Sequence, residues 1–180
     1  MKNEAKIFGV AGYSGSGKTS LIEQVIPRLV RVGLRVSLIK HSHHGFDIDR
    51  PGKDSYRHRE AGASEVLIAS SQRWVVMHEL RGEAEPDLSE QIARLSPCDL
   101  VLVEGFKHHP IPKLEVHRKQ ADSAGDESDR PLLYPDDPYI VALATDEKLD
   151  TKLPQFTLDD YDGVAGFVLT YSGLRRISGG

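Results

Sequence analysis

The segment Gly12-Tyr13-Ser14-Gly15-Ser16-Gly17-Lys18-Thr19 constrains this chain more than any other. It satisfies G-x-x-x-x-G-K-[ST] at every fixed position. The apolar residues Ile7, Phe8, Val10 and Ala11 precede it, and Leu21, Val25, Leu29 and Val32 follow at helical spacing. A phosphate loop requires this context, a strand leading in and an amphipathic helix leading out. The glycines allow torsions that side chains forbid. The backbone N–H groups then turn inward around a phosphate, and the start of the helix adds the positive end of its dipole. Lys18 is placed to reach the β- and γ-phosphates, and the Thr19 hydroxyl to bind Mg²⁺. Tyr13, Ser14, Ser16 and Ser20 complete the candidate nucleotide-binding stretch.

Reading onward, the spacing predicts a helix from about Lys18 to Val32, with a kink or break at Pro27 and a stop at Gly33. Leu34 to Ile39 reads as a second strand, so the chain opens with a βαβ unit, the element of parallel sheets. Lys40 to Gly52 is a polar loop and Asp54 to Ala61 a short helix closed by Gly62. Val66–Ala69 and Trp74–Leu80 predict an antiparallel hairpin, and Asp87–Leu95 a helix with Asp87 and Glu90 at capping-box spacing. Asp99–Val103, Leu114–His117 and Tyr139–Ala144 read as further strands, and Asp160–Ser172 as a closing helix. Gln120 to Arg130 is acidic and nearly free of apolar residues, which predicts a mobile loop. The expected architecture is α/β: one P-loop NTPase domain over residues 1–180, mostly parallel, flanked by helices, with an antiparallel hairpin added.

Composition excludes several function classes. Lys and Arg total 23 against 27 Asp and Glu, a net charge of −4, without the basic excess of a dedicated nucleic-acid binder. Cys98 is the only cysteine, so neither an internal disulfide nor a Cys-rich zinc site is available. Tyr139 to Ala144 is the longest apolar run, far short of the roughly 20 residues of a spanning helix. The first residues lack a signal-peptide stretch, and the expected location is cytoplasmic.

A phosphate loop needs an acid on a second strand to complete Mg²⁺ coordination. Glu104, after Leu100-Val101-Leu102-Val103, stands at the carboxyl end of a buried strand, where open α/β sheets bind ligands. Its alternative is a solvated loop acid. Asp49, in the loop after the second strand, is a further candidate for the metal or its waters; alternatively, Asp49 and Asp54 cap a polar turn. His41, His43 and His44 invite a zinc reading, but three histidines within four residues of one loop do not easily face one ion. The guanine signature [NT]-K-x-D is absent, and Asn3 is the only asparagine. Asp146 is the best substitute: its carboxylate matches guanine N1–H and the 2-amino group and opposes adenine N1. A turn cap is the competing role.

These residues also resemble a known family. The phosphate loop, Ile39-Lys40-His41-Ser42-His43-His44, Asp47-Ile48-Asp49-Arg50-Pro51-Gly52-Lys53-Asp54-Ser55, Ala61-Gly62-Ala63, Gln72-Arg73-Trp74 and Val103-Glu104-Gly105-Phe106-Lys107 are together similar to MobB. That family provides the nucleotide-binding accessory protein of molybdopterin guanine dinucleotide biosynthesis. The phosphate loop is generic; the histidine loop with Asp-x-x-Pro-Gly-Lys-Asp-Ser and Val-Glu-Gly-Phe-Lys, in order, is specific. The resemblance implies GTP binding with weak hydrolysis, homodimers, and work beside MobA, the enzyme that transfers GMP from GTP to molybdopterin. It implies kinship with dethiobiotin synthetase and signal-recognition P-loop proteins, and Thr19, Asp49 and Glu104 as a shared metal set. The histidine loop and Gln72-Arg73-Trp74 become candidates for touching the pterin or the partner protein, and molybdopterin and molybdoenzymes are further candidate partners. Tyr13 occupies the position where cell-division ATPases carry an extra lysine.

The leading expectation is a GTP-binding adapter with weak Mg²⁺-dependent GTPase activity, in which Lys18, Asp49 and Glu104 act on the nucleotide. Two readings compete with it. One is a phosphotransferase or ligase acting on a small metabolite, in the manner of dethiobiotin synthetase. The other is a binding module whose nucleotide only stabilises a dimer.

Overall fold

A computed structural model describes residues 5–42, 45–119 and 131–174. These residues fall into two compact units, one from residues 1–41 and 91–180, the other from 42–90.

The larger unit is built on a six-stranded parallel sheet of order β2-β5-β1-β6-β7-β8. Its strands are β1 (Lys6–Ala11), β2 (Val36–Lys40), β5 (Leu100–Glu104), β6 (Lys113–His117), β7 (Ile140–Thr145) and β8 (Gln155–Phe156). The continuous apolar runs of β1, β5 and β7 are what a sheet covered on both faces demands. All of β5 is buried. The chain leaves β1 toward β2 and later returns on the opposite side as β6, which makes β1 the topological switch point. The β8 strand is only two residues long, and no sequence pattern announces it.

Helix α1 (Lys18–Arg31) carries Leu21, Ile22, Val25 and Leu29 into the core. They pack with Phe8, Val10, Leu102 and Leu114 of the sheet and Val164 and Val168 of α4 (Tyr161–Tyr171). Of the kink or break expected at Pro27, the break does not occur; the helix runs through it. Pro27 and Glu23 both lie on the exposed side, so the carbonyl that loses its partner is not left in the core. Buried Val25 and Leu29 hold the helix to the sheet on either side of the proline. Asp160 caps α4 by accepting from the Gly163 amide.

Two charged residues are buried in β6. Lys113, fully buried, donates to the carbonyls of Lys107 and His109 and pairs with Asp137 at 2.8 Å. Glu115 accepts the amides of Leu133 and Tyr134 at 2.8 and 2.9 Å. Both tie loops to the sheet by satisfying backbone groups. Burial pushes the Glu115 carboxyl above the usual range, and the two amides oppose that shift.

The smaller unit holds α2 (Asp54–Glu60) and the antiparallel pair β3 (Glu65–Ala69) and β4 (Trp74–His78), joined by the expected turn. The pair forms its own two-stranded sheet. Leu67 faces Val76, and Ala69 faces Trp74, on a side left open: Leu67 is 61% and Trp74 63% exposed. Helix α3 (Leu88–Ala93) begins with the predicted capping box, in which Asp87 accepts the Glu90 amide and Glu90 accepts that of Asp87. The acidic loop expected over 120–130 lies outside the described residues.

Candidate functional site

Strand β1 ends at Ala11 and the chain turns immediately over the carboxyl edge of the sheet. Gly12, at φ 139°, lies flat against β6: a Cβ there would stand 2.3 Å from the Val116 carbonyl oxygen. The loop starts where it does because only glycine permits that approach. Gly17 caps α1 in the left-handed conformation at φ 100°. No side chain caps this helix, and its first turn holds no acid. Most helix starts satisfy their orphan amides with such groups. Here they are left for an anion, which the helix dipole favours as well.

Other features suit the same purpose. Ser16 Oγ is buried without a hydrogen-bond partner among the described residues. Lys18 Nζ folds back to donate to the Tyr13 carbonyl at 2.6 Å, so the ammonium already lies along the loop. Lys107 Nζ sits 4.1 Å from the centre of the Tyr13 ring, a cation–π contact between the phosphate loop and the loop after β5. Ser14 and Ser20 follow the loop and helix start as expected, and both are exposed.

Thr19 and Glu104 come together as the sequence predicts. The Thr19 hydroxyl donates to Glu104 Oε1 at 3.2 Å, and Glu104 is only 6% exposed. It is therefore not a solvated loop acid. The parallel register pairs Val10 and Lys40 with Glu104 on its two sides, and Lys40 Nζ approaches Oε1 at 3.5 Å. Gly105, at φ 99°, then turns the chain away beside the His41 carbonyl. A hydroxyl and one carboxylate are hard oxygen donors that fit Mg²⁺, which keeps several waters and takes only one or two carboxylates from a protein.

Asp49 belongs to the smaller unit. Its Oδ1 accepts from the Ser55 hydroxyl and the Arg50 amide, each at 2.9 Å. Its Oδ2 is buried without a hydrogen bond, with Arg59 Nε at 3.6 Å. Arg59 also binds Asp47 and Glu79. The Asp49 amide, followed by Arg59, holds the Asp47 carboxyl below the usual carboxylate range. Asp146 follows β7 at the carboxyl edge and is exposed, and its Oδ1 accepts the Lys119 amide at 2.8 Å. His41 packs its ring 5.0 Å from that of Phe106. His43 and His44 lie outside the described residues. Among the described residues, no group of three or more His, Cys, Asp or Glu is gathered to hold a metal ion.

Sequence reasoning passed over Lys40 and Lys107 as functional side chains, and it did not single out Arg118. Each of the two lysines lies in a motif already noted, Lys40 before the histidine loop and Lys107 three residues after Glu104, which was the available signal. Arg118 gave none, because only the pairing of β6 with β1 brings it to the phosphate loop.

Comparison with known proteins identifies the family. Residues 7–146 match the family described as Molybdopterin guanine dinucleotide synthesis protein B, MobB. The Molybdopterin-guanine dinucleotide biosynthesis adapter protein of Haemophilus influenzae is 41% identical over 168 residues, 93% of this chain and 90% of that one. The protein of the same description from Escherichia coli is 40% identical over 172 residues, 94% and 95% of the two chains. The crystal structure of Bacillus subtilis MobB superposes with a TM-score of 0.69 at 26% identity, covering 92% of this chain and 96% of that one. With its phosphate loop, its buried Glu104 strand and this likeness along nearly its whole length, the chain belongs to the MobB family.

Proposed function

We propose that this protein is a GTP-binding adapter of molybdopterin guanine dinucleotide biosynthesis with weak Mg²⁺-dependent GTPase activity. It binds Mg·GTP at the phosphate loop and presents it in the cytoplasm to MobA, the partner that attaches GMP to molybdopterin. The observation that carries this reading is the buried Glu104 carboxylate 3.2 Å from the Thr19 hydroxyl, at the mouth of a helix whose amides are uncapped.

In this mechanism the loop amides and Lys18 hold the phosphates, with Lys18 exchanging the Tyr13 carbonyl for phosphate oxygens. Thr19 and Glu104 would hold Mg²⁺, and the family resemblance adds Asp49 as a further candidate for the metal or its waters. The bound Mg²⁺ supplies charge neutralisation across the phosphates. Turnover is slow, as the family resemblance implies. The protein acts as a homodimer, and the open apolar side of the β3–β4 pair supports an association of this kind.

Calorimetric titration of GTP and ATP, each with Mg²⁺, into the parent and Lys18→Ala tests the reading. Tight GTP binding, weaker ATP binding and loss of both in the variant are expected. Equal affinity for ATP and GTP would remove the guanine assignment, and fast unaided turnover would remove the adapter role.

A further inference from the structure

We propose that Arg118 is a nucleotide-contacting residue, a second cation for the phosphate chain, and that Asp146 is the positioning residue that holds it there. The proposal rests on the reading of the phosphate loop as a GTP site.

Residues 116–119 leave β6 along the edge of the loop, fixed at both ends. The Val116 carbonyl lies against Gly12, and the Lys119 amide donates to Asp146 Oδ1 at 2.8 Å. Between these anchors the side chains alternate. His117 and Lys119 both turn to Glu147, at 3.6 and 3.5 Å. Arg118 turns the other way: its Nη2 is 3.8 Å from where a Cβ on Gly17 would stand. Gly17 is the cap of α1, the point at which the uncapped amides gather.

Arg118 is exposed and, among the described residues, makes no hydrogen bond or ion pair. Ordinary solvation explains most exposed arginines. It does not explain a guanidinium held by its backbone over a helix start that already waits for an anion. A planar fork with paired N–H donors suits phosphate oxygens better than an ammonium does. Lys18 approaches from within the loop and Arg118 from the β6 side, so the phosphate chain is held from two directions. Asp146 thereby gains a role independent of base recognition. Its carboxylate fixes the backbone that aims Arg118.

Titrating GTP, GDP and GMP into the parent, Arg118→Ala, Arg118→Lys, Asp146→Ala and the double variant tests the assignment. Arg118→Ala is expected to weaken GTP and GDP about tenfold or more, the size of a charge-assisted hydrogen bond. GMP should change little, the salt dependence of GTP binding should become shallower, and Arg118→Lys should recover part of the loss. The melting temperature should hold, since Arg118 makes no hydrogen bond or ion pair to lose. Asp146→Ala should weaken GTP and ATP alike and add little once Arg118 is removed. GTP and GDP binding within twofold of the parent in Arg118→Ala, with Lys18→Ala still abolishing it, would overturn the proposal and leave the GTP site standing. Additive losses, or a changed GTP-to-ATP ratio in Asp146→Ala, would overturn the positioning role. A parent that binds no nucleotide would overturn this proposal together with the reading beneath it.

Discussion

Replacing Gly12 by alanine tests whether the phosphate loop is set by its approach to β6. The new methyl would stand 2.3 Å from the Val116 carbonyl oxygen and 2.9 Å from Ser16 Oγ, both inside any real contact. The serine can rotate, but the carbonyl belongs to a strand held in register by Val10↔Leu114 and Ala11↔Glu115. Moving that strand disturbs Glu115 and the two amides it satisfies. A φ of 139° adds strain for any L side chain. Backbone strain of about 1–3 kcal/mol and overpacking of about 1–3 kcal/mol together give a loss near 4 kcal/mol. For a chain of this size that is a fall in Tm of roughly 8–16 °C. Gly15 is the internal control. It too has positive φ, at 78°, but open space surrounds it, so Gly15→Ala should cost only about 1–2 kcal/mol. Urea unfolding of both variants, with m unchanged, measures the difference. Midpoints that place Gly12→Ala within about 1 kcal/mol of Gly15→Ala would refute the steric argument.

Further outcomes follow from the site and the buried carboxylates. Glu104→Gln keeps the shape of the side chain and removes its charge, so nucleotide binding without Mg²⁺ should persist while Mg²⁺ affinity falls at least about tenfold. A magnesium titration of the GTP complex reads this, and unchanged affinity would remove Glu104 from the metal. Glu115 carries a pH signature. Burial raises its folded pKa, so the native chain holds the proton to higher pH than the unfolded chain does. Its stability contribution is full below the unfolded value and declines as pH rises through the raised native value. Denaturation from about pH 4 to about pH 7 should show Glu115→Gln gaining on the parent as pH rises. A constant difference across that range would count against the assigned shift.

Much of this molecule was legible before any coordinates. The phosphate loop is a local object: glycine torsions, the entering strand and the leaving helix all sit within one stretch of chain, so composition and spacing suffice. The buried run ending at Glu104, the hairpin turn and the capping box at Asp87 and Glu90 are local in the same sense, and each forms as predicted. Pro27 shows where local reasoning fails. Propensity predicts a kink or a break there, and two buried neighbours on the sheet keep the helix continuous through it.

Register and strand order were out of reach, because they depend on contacts between residues far apart in the chain. Only the pairing of β2 and β1 with β5 places Lys40 and Thr19 beside Glu104. Only the insertion of β6 beside β1 brings the Val116 carbonyl onto Gly12 and Arg118 to Gly17. The sequence by itself determined that a phosphate-loop backbone would form at the end of β1, since that backbone is encoded in consecutive residues. Tertiary structure alone decided which charges surround that loop, because long-range strand pairing sets the neighbours of a sheet edge.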